Sequence, residues 1–226
     1  MKIGILLSGC GVYDGAEIQE TVLTMLAIKE SGHDYVCISI DKPQHHVINH
    51  LNGEVMNESR NMLVEAARIA RGEIKNIMET GPAELDALVI PGGFGSAKNF
   101  TKWAFSGPDG EILPEVKLFL VNLVNVGKPI CALCVSPVVL AKALEGSIFH
   151  VNLTLGSDKE TSPYDIPGFN EGIEKVGATA TMKTVREVLV DTKNKIVSAP
   201  CYMMDATIVE IRNNIKAAIA ETIMLV

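Results

Sequence analysis

Pro129-Ile130-Cys131-Ala132-Leu133-Cys134-Val135-Ser136-Pro137 is the stretch on which the fold turns. An apolar strand expected over 128–133 runs directly into a helix expected over 136–144, with Cys134 at the junction. Such a turn lifts a nucleophile above the edge of a sheet, at a helix N-terminus. The helix dipole and its free N–H groups favour thiolate over thiol, so a lowered pKa is expected for Cys134. Pro137 suits the first turn of that helix. The Gly-x-nucleophile-x-Gly form is absent, since Ala132 and Ser136 occupy the glycine positions. A small, buried, unreactive cysteine is the plain alternative.

Outward from this junction, short apolar runs alternate with helical patterns. Strands are expected at 2–7, 35–40, 85–90 and 128–133, and helices at 17–29, 58–71, 115–126 and 136–144. The helix at 17–29 is expected to bury Ile18, Val22, Met25, Leu26 and Ala27. Beyond Leu144 the pattern weakens to short strands at 152–155, 187–191 and 195–199, the last two joined across Thr192-Lys193-Asn194. An amphipathic helix over 206–225 closes the chain. Strand alternating with helix predicts right-handed crossovers and a parallel α/β sheet with helices on both faces. Ligands in such sheets bind at the carboxyl ends of the strands. No repeat or linker divides the chain, so one domain over 1–226 is expected, with an insertion around 42–53.

Composition bounds the rest. The 226 residues are 47% hydrophobic and 21% charged, with 20 Lys and Arg against 27 Asp and Glu, a formal charge of −7. No basic stripe offsets this acidity, so nucleic acid and anionic membranes are not expected partners. The apolar stretches fall short of a membrane span, and Met1–Leu7 runs into glycines too soon for a signal peptide. Five cysteines, an odd number without small-domain spacing, fit reduced thiols and a cytoplasmic location.

Two further loops carry unusual residues. Pro91-Gly92-Gly93-Phe94-Gly95 follows a strand, and its amides can line an oxyanion site beside Cys134 or simply make a tight turn. Neither this loop nor 9–15 matches a phosphate-binding glycine motif. Ser8-Gly9-Cys10-Gly11-Val12-Tyr13-Asp14-Gly15-Ala16-Glu17 follows the first strand. Glu17 can reach the same crevice as a proton carrier for the thiol, or close a capping box with Asp14. Cys10, Cys134 and Cys201 each follow a strand, and a three-thiolate metal site is an alternative without any C-x-x-C support. None of His33, His45, His46, His50 or His150 forms a recognisable ligand pair or an evident base for the thiol.

Ser8–Gly15, Asn49-His50-Leu51-Asn52-Gly53-Glu54, Glu58-Ser59-Arg60-Asn61, Glu65-Ala66-Ala67-Arg68-Ile69, Pro91–Asn99 and Asn194-Lys195-Ile196-Val197 together resemble the enhancing lycopene biosynthesis protein family. This is the isoprenoid biosynthesis protein with amidotransferase-like domain, in the PfpI-type branch of the class I glutamine amidotransferase-like superfamily. The resemblance covers essentially the whole chain. It implies a flavodoxin-like three-layer α/β sandwich, a homodimer, Cys134 as elbow nucleophile and Glu17 as its carboxyl neighbour. Relatives in the branch include glutathione-independent glyoxalases, proteases and chaperone-like proteins. The superfamily's triad histidine would follow the strand after the elbow helix, where this chain reads Leu153-Thr154-Leu155-Gly156-Ser157-Asp158.

A standard Cys-His-Glu glutaminase is therefore disfavoured, and a weak glyoxalase-type lyase acting on a small dicarbonyl, methylglyoxal or glyoxal, is expected. In that reading Cys134 adds to the aldehyde, Glu17 relays the proton, and the Gly93 and Val135 N–H groups hold the oxyanion. Cys10, Gly11 and Gly92 are the pocket candidates, and no cofactor or metal is required. A redox-sensing or binding protein using the same cysteine, and a glutaminase subunit completed by a partner, are the alternatives.

Overall fold

The computed structural model describes residues 1–226. In chain order the elements are β1 (Lys2–Leu6), α1 (Ile18–Glu30), β2 (Asp34–Ser39), α2 (Met62–Ile69), β3 (Ile74–Asn76), β4 (Ala87–Ile90), α3 (Trp103–Ser106) and α4 (Pro114–Asn125). Then follow β5 (Ile130–Leu133), α5 (Pro137–Leu144), β6 (Asn152–Leu153), α6 (Ile166–Lys175), β7 (Thr179–Ala180), β8 (Leu189–Asp191), β9 (Ile196–Ala199) and α7 (Ile208–Met224). Seven strands form one sheet in the order β3-β2-β1-β4-β5-β9-β8, parallel except for β8, which runs antiparallel to β9. This is the flavodoxin-like α/β sandwich.

The central strands are apolar throughout, as strands covered on both faces must be. Every residue of β4, β5 and β9 is buried. From β1 the chain steps to β2 on one side, and from β4 to β5 on the other. Right-handed crossovers then place α1 and α4 on opposite faces. The reversal between β1 and β4 opens a crevice at their carboxyl ends. The loops after β1, β4 and β5 gather there.

Three expectations need correction. Helix α1 buries Met25 and Ala27 as expected, but turns Ile18, Val22 and Leu26 to solvent, each 44–48% exposed, and buries Glu20, Thr21, Thr24 and Ile28 in their place. Two apolar stripes compete on this helix, and periodicity alone mixed them. The helix expected over 58–71 begins only at Met62, because the Asn61 side chain accepts from the Leu63 and Val64 amides and caps it there. The strand expected over 152–155 shrinks to β6 and leaves the main sheet, pairing with β7 in a small parallel ribbon.

The segment around 42–53 is irregular and is tied to the loops that gather at the crevice. It has no helix or strand of its own beyond the single bridges Pro43–Asn61 and Ile48–Val55. The Ile48 amide donates to Asp14 Oδ2 at 2.7 Å, and the His45 amide to Asn99 Oδ1 at 2.8 Å, tying it to the loops after β1 and β4.

Candidate active site

Cys134 stands between β5 and α5 with φ of 57°, a left-handed conformation that costs energy for any residue with a Cβ. Strand pairing holds it there: its amide donates to the Ala199 carbonyl at 2.9 Å. The next turn is clamped by Ser136, whose hydroxyl donates to the Pro91 carbonyl at 2.5 Å and meets Ser96 Oγ at 2.9 Å. The elbow thus forms without its usual glycines.

The group that meets the thiol is Glu20, one turn into α1. The Cys134 thiol and the Glu20 carboxyl lie side by side against Gly92, and the carboxylate strengthens the thiol's hold on its proton. Glu20 is fully buried, and its oxygens accept from the Gly92 amide at 2.8 Å and the Tyr202 amide at 3.2 Å. The Gly93 and Val135 amides favour a charge on the Cys134 sulfur, while the Gly92 and Tyr202 amides hold the carboxyl.

The electrostatics follow. Burial, then repulsion from Glu17, pushes the Glu20 carboxyl up to about 8. Burial, then the Glu20 charge, pushes the Cys134 thiol well above its ordinary range, and the two amides only partly oppose this. The lowered thiol pKa expected from the helix terminus is thus overturned, because desolvation and a like charge outweigh the dipole. The thiol becomes a nucleophile only by handing its proton to Glu20.

Glu17 does not cap with Asp14. It is itself the N-cap of α1, accepting from the Glu20 amide at 2.6 Å. Its carboxyl, raised by burial, lines the mouth of the thiol cavity one turn away from the sulfur's own partner. Gly92 lies directly against the pair: a Cβ there would come within 2.5 Å of Glu20 Oε2 and 2.7 Å of Cys134 Sγ.

Cys10 and Gly11 are not brought to the thiol cavity. The Gly11 amide donates to Ala16 and the Gly15 amide to Gly11, and this folds the loop back on itself. Gly11 then lies under His50 and Asp14, while half-buried Cys10 lies within the fields of Glu65, Arg68, Asp14 and Arg60. Cys201 does approach the site, fully buried with φ of 45° and facing the Glu20 and Cys134 charges. The three cysteines offer no joint metal site, since no three His, Cys, Asp or Glu side chains are arranged to hold an ion.

The cavity over the thiol measures about 20 Å³ and is walled by Val12, Phe94, Tyr164, Tyr202 and Met203. No histidine lines it. Sequence reasoning missed Glu20 and these walls. Glu20 carried one faint signal, being a polar residue beside Thr21 and Thr24 on the face between two apolar stripes.

The DJ-1/PfpI family model matches residues 10–147. The chain is 38% identical to the rat "ES1 protein homolog, mitochondrial" over 99% of its own length and 84% of that protein. It is 39% identical to the human "Glutamine amidotransferase-like class 1 domain-containing protein 3, mitochondrial", over 99% and 83%. A crystal structure of an isoprenoid biosynthesis protein with amidotransferase-like domain from Ehrlichia chaffeensis superposes with a TM-score of 0.89 at 34% identity, over the full length of both chains. The resemblance read from the sequence therefore holds.

The cytoplasmic expectation does not, because these curated relatives are mitochondrial proteins. Unpaired cysteines report a reducing environment, not which membrane encloses it. No helix is long and apolar enough to cross a membrane. A family match that spans the elbow and both glycine loops, joined to relatives aligned over nearly the whole chain, makes this protein a member of the DJ-1/PfpI family.

Proposed function

We propose that the protein is a glutathione-independent glyoxalase, converting a small 2-oxoaldehyde such as methylglyoxal or glyoxal to lactate or glycolate. The observation that carries this reading is the buried Cys134 thiol set against the Glu20 carboxyl, which the Gly92 and Tyr202 amides hold in place. In its ionised form, populated as pH approaches 8, Glu20 takes the thiol proton as the sulfur attacks the aldehyde carbon, then returns it to the new oxyanion, giving a hemithioacetal. The carboxylate next removes the carbon-bound hydrogen, and the electron pair moves into an enediol. Reprotonation at the neighbouring carbon by the same group leaves a thioester. Water cleaves it to the hydroxy acid and restores the thiol. The Gly93 and Val135 amides, already facing the sulfur, meet the oxyanion formed beside it.

Glutamine hydrolysis fits less well, since no histidine lines the cavity to complete a Cys-His-Glu triad. The test is glutathione-free consumption of methylglyoxal with lactate measured alongside. Lactate formed in step with aldehyde lost is the expected result. Aldehyde lost without lactate would reduce the reaction to thiol adduction and end this reading.

The protein is further proposed to work as a homodimer. Support comes from Ile18, Val22 and Leu26, one residue per turn along the outer face of α1, each nearly half exposed. Val22→Glu is expected to shift the dimer to monomer in sedimentation. A wild type that sediments as a monomer at micromolar concentration would remove the proposal.

A further inference from the structure

The thiol cavity has room for about one water molecule, so the remainder of any substrate must lie elsewhere. Beside it is a second cavity of about 350 Å³, bordered by Phe94, Trp103, Pro108 and Phe169. That size is typical of small-molecule sites, and far smaller apolar cavities hold a benzene ring.

The two cavities share a wall. Phe94 lines both, and its ring packs edge to face on Tyr164 with centroids 5.7 Å apart. Tyr164 lines the thiol side, and the next residue, Asp165, lines the other. Phe94 opens the helical turn that follows β4, with its amide donating to the Val12 carbonyl at 2.7 Å, and Tyr164 lies ahead of α6, so this pair of rings is what separates the two cavities.

The floor of the larger cavity is bare backbone. Gly168 and Gly172, one turn apart on α6, line it. At Gly172 a Cβ would come within 2.7 Å of Trp103 Cζ2, so the indole lies flat on the helix only because no side chain intervenes. Asp165 lines the cavity and its Oδ1 caps α6 by accepting from the Gly168 amide at 3.1 Å. Lys142 Nζ donates to the Pro108 carbonyl at 2.6 Å and Lys98 Nζ stands 5.6 Å from the Phe94 ring, so the charges around the cavity are mixed, and its aromatic walls favour a neutral ring.

We infer that this cavity is the subsite for an uncharged, ring-sized apolar substituent, so that the preferred substrates are aryl- or bulky alkyl-substituted 2-oxoaldehydes rather than methylglyoxal. The inference rests on the glyoxalase reading for its reaction but not for its binding. Phe94 then serves as the gate through which the substituent reaches its place while the aldehyde stays at Cys134.

Trp103 is the only tryptophan in the chain, and it borders the cavity, so its fluorescence reports occupancy directly. The experiment uses the full chain and Ala104→Phe, which places a ring from the exposed side of a helical turn into the cavity. Acetophenone, a neutral aryl ketone without the aldehyde, is titrated against both. A saturable change in Trp103 emission is expected in wild type and is expected to be lost in the variant. In parallel, the ratio of kcat/KM for phenylglyoxal over methylglyoxal is expected to exceed one and to fall about tenfold in Ala104→Phe. Saturable binding with neither aldehyde turned over would leave the subsite standing and overturn the glyoxalase reading. Turnover of both aldehydes with an unchanged ratio and no saturable emission change would overturn the subsite and leave the glyoxalase.

Discussion

Methylglyoxal turnover is expected to fall at least a thousandfold in Cys134→Ala and at least a hundredfold in Glu20→Gln, while Glu17→Gln stays within about tenfold of wild type. The ordering follows from distance and donors. Glu20 lies against the thiol and accepts from two backbone amides, whereas Glu17 commits its carboxyl to the first turn of α1. Glutamine at position 20 keeps the shape and can still accept from Gly92 or Tyr202, but it cannot take a proton. Steady-state lactate formation by the three variants decides the matter. A dead Glu17→Gln beside an active Glu20→Gln would transfer the proton shuttle to Glu17.

The same substitution has a signature that needs no substrate. The folded Glu20 keeps its proton up to about pH 8, whereas an unfolded glutamate releases it near 4.5. Between those values the folded state binds the extra proton, so stability falls as pH rises through the window. Its contribution is complete below 4.5 and gone above 8. Between about pH 5.5 and 7.5, wild type is expected to lose roughly 2 kcal/mol by urea unfolding that Glu20→Gln does not lose. Parallel pH profiles for the two proteins would show that Glu20 enters the fold already ionised.

Gly92→Ala is expected to cost about 3 kcal/mol and to remove activity with it. The added methyl would fall against Glu20 Oε2 and Cys134 Sγ, on a loop whose amide also holds the carboxylate. Neither neighbour can retreat: the carboxyl is fixed by two amides, and the cysteine by an elbow clamped through Ser136. Gly81→Ala is the control, because a Cβ there meets nothing nearer than Glu84 Oε1 at 3.9 Å. A folded, fully active Gly92→Ala would mean that the thiol does not stand against this loop.

The parallel core was legible because its strands are uniform apolar runs closed by glycine or proline, and a fully buried strand writes itself that way. The β8–β9 hairpin showed too, through polar turn residues between two short alternating runs. Helix α6 was missed, since Pro167, Gly168 and Gly172 break the very periodicity that reveals a helix. Strands β3 and β7 are too short to display a pattern.

Within the site, Cys134, Gly93 and Val135 were legible as a strand–helix junction facing a glycine loop. Glu20 was not, because a buried carboxylate is bought by partners far away in sequence, here Gly92, Cys134 and Tyr202. A hydrophobic pattern registers only what prefers to leave water. It is silent about a charge kept inside by donors from three other loops.

The main sheet ends at each side in a strand of only three residues, β3 and β8. Such short rims offer an incoming strand few free amides and carbonyls to copy. Lateral growth of the sheet, the usual route by which a β-rich surface recruits its neighbours into fibres, is therefore starved of template at both margins. A sheet capped in this way keeps its edges closed without a barrel's closure or a covering strand.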